Sequence, residues 1–195
     1  MASLRSLVIV LGDQLDLDAS AFDGFDPEQD SVWMAEVAEE STHVWSSKQR
    51  TALFLSAMRH FALSLREAGR DLVYTRLDDV NNAGSLGAQL HADLLRLRPA
   101  RLIMTAPGDW RVLQAIKTVA AASSIPLDVR VDRHFFTSVR EFAEHAKSRK
   151  VLRMEYFYRE QRKRHQVLME GDGLSDEPLG GRWNFDSLNR EPFGV

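Results

Sequence analysis

Cysteine is absent from this 195-residue chain, and its absence excludes several kinds of chemistry. Without thiols the chain can form no disulfide, no cysteine nucleophile and no cysteine-ligated metal cluster. Long apolar runs are missing as well, because none approaches the roughly 18 residues that a membrane span requires. The amino terminus lacks a signal-peptide pattern. These absences predict a cytoplasmic protein without a membrane partner.

The usual catalytic signatures are also missing. The sequence contains neither a phosphate-binding P-loop nor the Gly-x-Ser-x-Gly nucleophile elbow. Its six histidines show no i, i+4 pair around a glutamate, which disfavours a zinc site. The net charge of −3 does not favour attraction of nucleic acid to the whole molecule. The residues alone therefore predict no catalytic group and no metal site.

Strand and helix patterns alternate over the first two thirds of the chain. Short apolar runs predict five strands, at residues 8–11, 31–37, 71–76, 101–105 and 127–131. Apolar residues at helical spacing predict intervening helices at 48–68, 85–97 and 109–122. Because βαβ connections are right-handed, this succession predicts an α/β fold with a doubly wound, mainly parallel five-stranded Rossmann-like sheet.

The last third has a different character. Residues 138–148 and 152–169 have helical patterns, so we expect a domain at 1–135 and a helical extension at 136–195. Lys and Arg are dense between positions 147 and 164, with aromatic residues at 156–158. A solvated face, attachment to another domain and contact with phosphate groups each explain this basic helix.

The first strand ends in the most informative local pattern. The unalternating run at 8–11, which ends in Leu11, is typical of a strand buried on both faces, and Gly12, Asp13 and Gln14 follow it directly. In open α/β sheets, small ligands lie beyond the carboxyl ends of such strands. An ordinary turn explains the same residues, since Gly and Asp are common in turns.

Polar loops follow three other predicted strands. Glu36 ends the second strand and is followed by Lys48 at the start of a helix, Asn82 and Gly84 follow the third, and Gly108 follows the fourth. Each loop leads toward a helix amino terminus, where free N–H groups can bind polar ligands. Capping explains each loop singly. Four such loops on one edge favour a pocket for a polar, ring-containing small molecule.

Seven stretches together resemble a known family, the N-terminal part of the bacterial iron–sulfur photolyases and cryptochromes. They occur in the family's order over almost the whole chain, at residues 11–15 (LGDQL), 34–40 (MAEVAEE), 56–61 (SAMRHF), 78–85 (DDVNNAGS), 107–111 (PGDWR), 149–159 (RKVLRMEYFYR) and 180–186 (GGRWNFD).

This resemblance implies a flavoprotein family that repairs ultraviolet photoproducts in DNA, here (6-4) lesions, by light-driven electron transfer. The family's α/β domain holds an antenna chromophore, 6,7-dimethyl-8-ribityllumazine. FAD and a four-cysteine iron–sulfur cluster belong to a helical C-terminal catalytic domain. Because this chain has no cysteine, the resemblance implies the antenna domain alone, which would not be catalytic by itself.

The resemblance also implies which residues form the antenna site. Gly12, Asp13, Gln14, Leu15 and Glu36 match the family's motif, and the Glu36 carboxylate is the predicted acceptor for the chromophore's polar edge. With the loop residues the predicted site comprises Leu11, Gly12, Asp13, Gln14, Leu15, Glu36, Lys48, Asn82, Gly84 and Gly108. The chain departs from the family at His43, at Ser46 and Ser47, and at Ala106.

Two other functional hypotheses stay open. A free-standing nucleotide- or cofactor-binding α/β module could use the same pocket, and an interaction scaffold would need no ligand. The resemblance implies the protein's own catalytic domain as a partner, and DNA through the whole protein. Trp183 and Phe185 in the glycine-flanked tail predict an apolar patch that promotes self-association of the chain.

Overall fold

The computed structural model describes residues 4–171 and 176–185. The chain folds into two compact units. The first unit comprises residues 1–133 and the second residues 134–195. The predicted boundary lay at residue 135. Asp186, the last residue of the 180–186 motif, lies outside the described residues.

The first unit is built on a five-stranded sheet in which every pairing is parallel. Its strands are β1 (Ser6–Ile9), β2 (Asp30–Ala35), β3 (Leu72–Thr75), β4 (Arg101–Thr105) and β5 (Leu127–Arg130). The strand order is β3-β2-β1-β4-β5. Successive strands are therefore added on one side of β1 as far as β3 and then on its other side from β4, so the strand order reverses between β1 and β4. The predicted doubly wound α/β fold is confirmed.

Helices cover both faces of the sheet. One face packs against α3 (Leu86–Leu97) and α4 (Trp110–Ala122), and the other against α2 (Lys48–Glu67). Side chains on β1 alternate between these faces, with Leu7 and Ile9 in one cluster and Val8 in the other. Because all are buried, the strand shows no polar alternation in sequence.

Two short elements of the first unit were not predicted. The helix α1 (Ala38–Thr42) follows β2, and a 3-10 turn at Ser20–Phe22 packs with the face that α2 covers. Both are short enough to lack a periodic signal. Among the described residues, no helix combines the length and apolar character that a bilayer crossing requires.

The second unit contains α5 (Val139–Ala146) and α6 (Met154–His165). The prediction that the last helix continues to residue 169 was wrong, because Gln166 takes a left-handed conformation with φ of 52°. The Phe157 ring on α6 packs edge to face against Phe142 and His145 on α5, and the latter two rings stack on each other.

Much of the charge on α6 is paired within the second unit. Arg149 contacts Glu160 at 2.7 Å and Arg164 contacts Glu141 at 2.7 Å. Three cations lie within 6 Å of the half-buried Trp183 ring, namely Arg159, Arg162 and Lys163.

Candidate functional site

A tight turn at the end of β1 forms one wall of the candidate site. The N–H of Gln14 donates to the carbonyl of Leu11 at 3.0 Å, which places Gly12 and Asp13 at the tip. Gln14 Nε2 donates to the carbonyl of Ala106 at 2.9 Å and thereby joins the loop after β1 to the loop after β4. These loops flank the point where the strand order reverses, the usual ligand position in such sheets.

A cavity of about 260 Å³ opens at this point, and we call it the edge pocket. Its lining comes from the end of β2, from the segments that follow β1, β2 and β4, from α2 as far as Met58 and from the first residue of α3. The lining residues are Leu11, Gly12, Asp13, Ala35, Glu36, Val37, Glu40, Ser41, Ser46, Arg50, Thr51, Phe54, Leu55, Met58, Leu86, Pro107, Asp109 and Val112.

Gly12 is required for the shape of the edge pocket. A Cβ atom at this position would lie 2.5 Å from Phe54 Cε1 and 2.8 Å from Met58 Sδ. Real Cβ atoms essentially never approach other atoms so closely, so any side chain here would displace Phe54 or Met58. The glycine therefore lets α2 bring an aromatic ring and a thioether directly against the β1 turn.

The mouth of the pocket carries a cluster of charges centred on Arg111. Its Nη2 contacts Glu40 Oε1 at 2.8 Å and Asp109 Oδ2 at 3.2 Å, and its Nη1 lies 3.9 Å from Glu39 Oε2. Asp109 also accepts a hydrogen bond from the backbone N–H of Arg111 at 2.7 Å, and this bond holds the pKa of Asp109 below its usual value. Asp109 is therefore ionised at neutral pH and caps α4.

The Glu36 carboxylate is buried and fully hydrogen-bonded. Oε1 accepts from Arg59 Nε at 2.7 Å and from the Tyr74 hydroxyl at 2.5 Å, and Oε2 accepts from Arg59 Nη2 at 2.8 Å and from the N–H of Leu77 at 2.9 Å. Burial alone raises the pKa of Glu36, but the Arg59, Tyr74 and Leu77 donors outweigh burial and lower it.

These four donors occupy the acceptor positions of one carboxylate. Glu36 lines the pocket, but its charged atoms tie β2 to α2, β3 and the following loop. Acceptance of a ligand hydrogen bond by Glu36 stays a prediction, and the geometry shows the carboxylate only in contacts within the protein.

The structure brings four of the predicted site residues together in the edge pocket, namely Leu11, Gly12, Asp13 and Glu36. The other six predicted residues, Gln14, Leu15, Lys48, Asn82, Gly84 and Gly108, are outside its lining. Gln14 is buried beside it, and its Oε1 has no partner among the described residues. Leu15 packs against the cluster under α2.

The remaining predicted residues have local structural contacts or stand apart from the pocket. Asn82 donates to the carbonyls of Glu36 and Arg76 and accepts from the N–H of Gly84, whose φ is 80°. These bonds shape the turn before α3. Lys48 is exposed at the first position of α2. A Cβ atom added at Gly108 would meet no atom within 4 Å, so the lack of a side chain there serves no close approach.

Sequence reasoning missed the contribution of α2. Arg50, Thr51, Phe54 and Met58 line the pocket from this helix, whereas the apolar spacing of Phe54 and Met58 predicted only the helix itself, at 48–68. Their i, i+4 relation places both on one face, and Phe54 remains 41% exposed in the first half of the helix. Periodicity cannot distinguish a residue that faces a cavity from one that faces a filled core.

A parallel sheet with a cavity where its strand order reverses places the chain among the α/β proteins that can hold a small molecule at that point. The sequence profile of one family, described as deoxyribodipyrimidine photo-lyase-related protein, matches residues 8–195. The chain belongs to this family, as the resemblance predicted.

A curated relative supports the same assignment. The chain is 44% identical over 189 residues to a protein named (6-4) photolyase from Agrobacterium fabrum strain C58. The matched region covers 97% of this chain and 36% of that relative, so the chain spans about a third of the relative's length.

Proposed function

We propose that the first unit is an antenna domain that binds 6,7-dimethyl-8-ribityllumazine in the edge pocket. The observation that carries this proposal is the slot in which Gly12 leaves room for Phe54 and Met58 beneath a polar mouth. A flat heterocycle with a hydroxylated chain suits an apolar slot with a few polar groups. When bound, the lumazine would absorb light and pass the excitation on.

The pocket residues would hold the chromophore without making or breaking bonds. Phe54 and Met58 would pack against its ring system, since sulfur and aromatic groups both stack favourably. The hydroxyls of Ser41, Ser46 and Thr51 would exchange hydrogen bonds with the ribityl chain. Glu36 would act through Arg59 and Tyr74 by holding β2 against α2.

The family and the name of the relative support a role in DNA repair. We infer that the chain serves a photolyase-related protein that acts on ultraviolet photoproducts of the (6-4) type. An iron–sulfur cluster would belong to a further domain, because these 195 residues supply no cysteine ligand. FAD would belong to the same further domain, as the resemblance to the family implies. The described residues also contain no group of three or more metal-ligating side chains. We assign this chain no catalytic step.

Titration of the purified chain with ribityllumazine tests the proposal. Binding should raise the fluorescence anisotropy of the chromophore, because a rigid slot stops its free rotation. Phe54→Ala should weaken binding at least about tenfold through loss of the ring contact. Leu53→Ala is the matched control, since Leu53 is the adjacent residue on α2, is exposed and does not line the pocket.

Two results would count against the proposal. Unchanged chromophore anisotropy at a large excess of the chain over the chromophore would reject lumazine as the ligand. Equal losses in the Leu53 and Phe54 variants would place binding elsewhere. Titration with ATP in parallel tests the alternative of a nucleotide-binding module.

A further inference from the structure

Three of the four first-unit helices that begin at the carboxyl edge of the sheet have a side-chain N-cap, which takes up one backbone N–H in each, whereas α1, which follows Val37, has none. Phosphate groups in α/β proteins usually bind the free N–H groups at these termini. Here Ser47, Ser85 and Asp109 cap α2, α3 and α4, and each accepts a bond from a backbone N–H, at 3.2, 3.3 and 2.7 Å respectively. At α4 the cap is itself an anion.

The charges around the edge pocket are mainly negative. Asp13, Glu40 and Asp109 line it, and Arg50 is the one lining cation among the described residues. Arg111 cancels one of these negative charges, because its guanidinium is shared between Glu40, Asp109 and, at longer range, Glu39. With Asp13, these carboxylates still outnumber the two cations Arg50 and Arg111. Glu36 and Arg59 form a separate pair. A phosphate monoester, with a charge of about −1.5 to −2, would therefore meet more carboxylates than free cations.

We propose that the acidic mouth makes the edge pocket selective for an unphosphorylated polyhydroxy heterocycle over its phosphate ester, with Asp109 and Glu40 as specificity-determining residues. This inference rests on the proposed function and adds a rejection mechanism to it. Specificity of this kind comes from a repulsive element against the wrong ligand. It would keep phosphorylated flavins and nucleotides out of a pocket whose fold commonly binds them.

Paired titrations of the full chain test the inference. The probes are ribityllumazine and its chemically prepared 5′-phosphate ester, which differ only in the phosphate. We expect the ester to bind at least about tenfold more weakly at low ionic strength. The ratio of the two dissociation constants should shrink as salt is raised toward about 1 M, where the screening length falls to about 3 Å.

Asp109→Asn supplies the specific test. Asparagine is as good an N-cap as aspartate, so the variant removes charge while keeping the helix start. The ratio of dissociation constants should fall about threefold or more. Glu67→Gln is the control, because it removes the same charge at the carboxyl end of α2, roughly 14 Å along the helix axis beyond Met58, the last residue of α2 that lines the pocket. Circular dichroism checks that both variants are folded.

The outcomes separate the two proposals. Equal affinity for lumazine and its ester, or an equal change of the ratio in both variants, would overturn the selectivity and leave the lumazine site standing. Failure of both probes to bind would reject the lumazine site and the selectivity with it. A ratio that falls with salt and with Asp109→Asn alone supports the inference.

Discussion

Gly12 sets the local geometry on which the edge pocket depends. Its importance lies in close approach rather than in an unusual backbone conformation, since Phe54 and Met58 occupy the space that a side chain would need. A sequence pattern shows the glycine but not the ring that lies over it. The consequence can be tested with the smallest possible side chain.

Gly12→Ala should reduce ribityllumazine affinity at least about tenfold, because the added methyl must push Phe54 into the slot. The variant should also lose about 1–2 kcal/mol of unfolding free energy, measured by urea denaturation. Gly87→Ala is the matched control, because Gly87 lies within α3 and a Cβ atom there would meet no atom closer than 3.7 Å. There we expect equal or higher stability and unaltered binding. Equal effects of the two variants would contradict the close-approach argument.

Glu36 is the second residue whose role can be separated by substitution. Glu36→Gln keeps the shape but removes the charge and places an amide N–H₂ among four donors. We expect a loss of about 2 kcal/mol in unfolding free energy, less than the roughly 3–5 kcal/mol for breaking a fully buried pair, because Arg59 is 42% exposed and can be hydrated.

Glu39→Gln is the control for that measurement. Its carboxylate is partly exposed and lies 3.9 Å from Arg111, so its loss should change stability by less than about 0.5 kcal/mol. If the two variants were equally stable, the Glu36 network would not stabilise the fold. If Glu36→Gln reduced lumazine affinity without reducing stability, the residue would be a direct ligand instead.

At the scale of elements, an ion pair joins the amino ends of β1 and β2. Asp30 is buried and accepts from Arg5 Nε at 2.9 Å and from the N–H of Asp26 at 2.9 Å. Burial raises the pKa of Asp30, but the Arg5 and backbone donors dominate and lower it from 3.8 to about 2.

This shift predicts acid sensitivity in a defined range. A lowered folded-state pKa stabilises the protein above the ordinary value of 3.8, and the contribution is lost as the pH falls toward about 2. It amounts to about 2 kcal/mol. Urea denaturation at a series of pH values should show this loss, and Asp30→Asn should remove that part of the pH dependence. An unaltered pH profile in the variant would assign the acid sensitivity to other carboxylates.

The strands and long helices could be predicted because their signals are local, although β1 lies at Ser6–Ile9 and not at the predicted 8–11. Arg101–Thr105 was predicted with its observed bounds, and the α2 start at Lys48 follows its Ser47 cap. By contrast, α6 ends at His165 because Gln166 adopts a left-handed conformation that its sequence does not announce. The edge of the pocket could be predicted from topology. Its Phe54 wall could not, because that contact depends on how α2 docks.

At the scale of the whole molecule, the second unit exposes several large aromatic residues. Phe135, Phe136 and Phe185 are each more than 60% exposed, and Phe135 and Phe136 line an apolar groove with Phe157, Tyr158 and Trp183. The self-association predicted for Trp183 and Phe185 thus extends, as an expectation, to a wider aromatic surface. Trp183 itself is half-buried.

Sedimentation velocity over a range of concentrations tests this expectation. The chain should shift toward larger species as concentration rises, and Phe135→Ser with Phe136→Ser should suppress the shift. Leu53→Ser is the control, because it removes an exposed apolar residue from the first unit. A monomer at every concentration would contradict the expectation, and suppression by Leu53→Ser alone would move the contact to α2.

The strand order also bears on how the first unit folds. The central strand β1 pairs with β2 nearby in the chain, but it also pairs with β4, where Ser6 lies opposite Arg101. Parallel pairings over such sequence separations slow folding, since the intervening chain must be ordered before they form. During synthesis, β1 cannot pair with β4 until Arg101–Thr105 has left the ribosome. Over that interval one edge of β1 stays unpaired, and the nascent chain is exposed to aggregation.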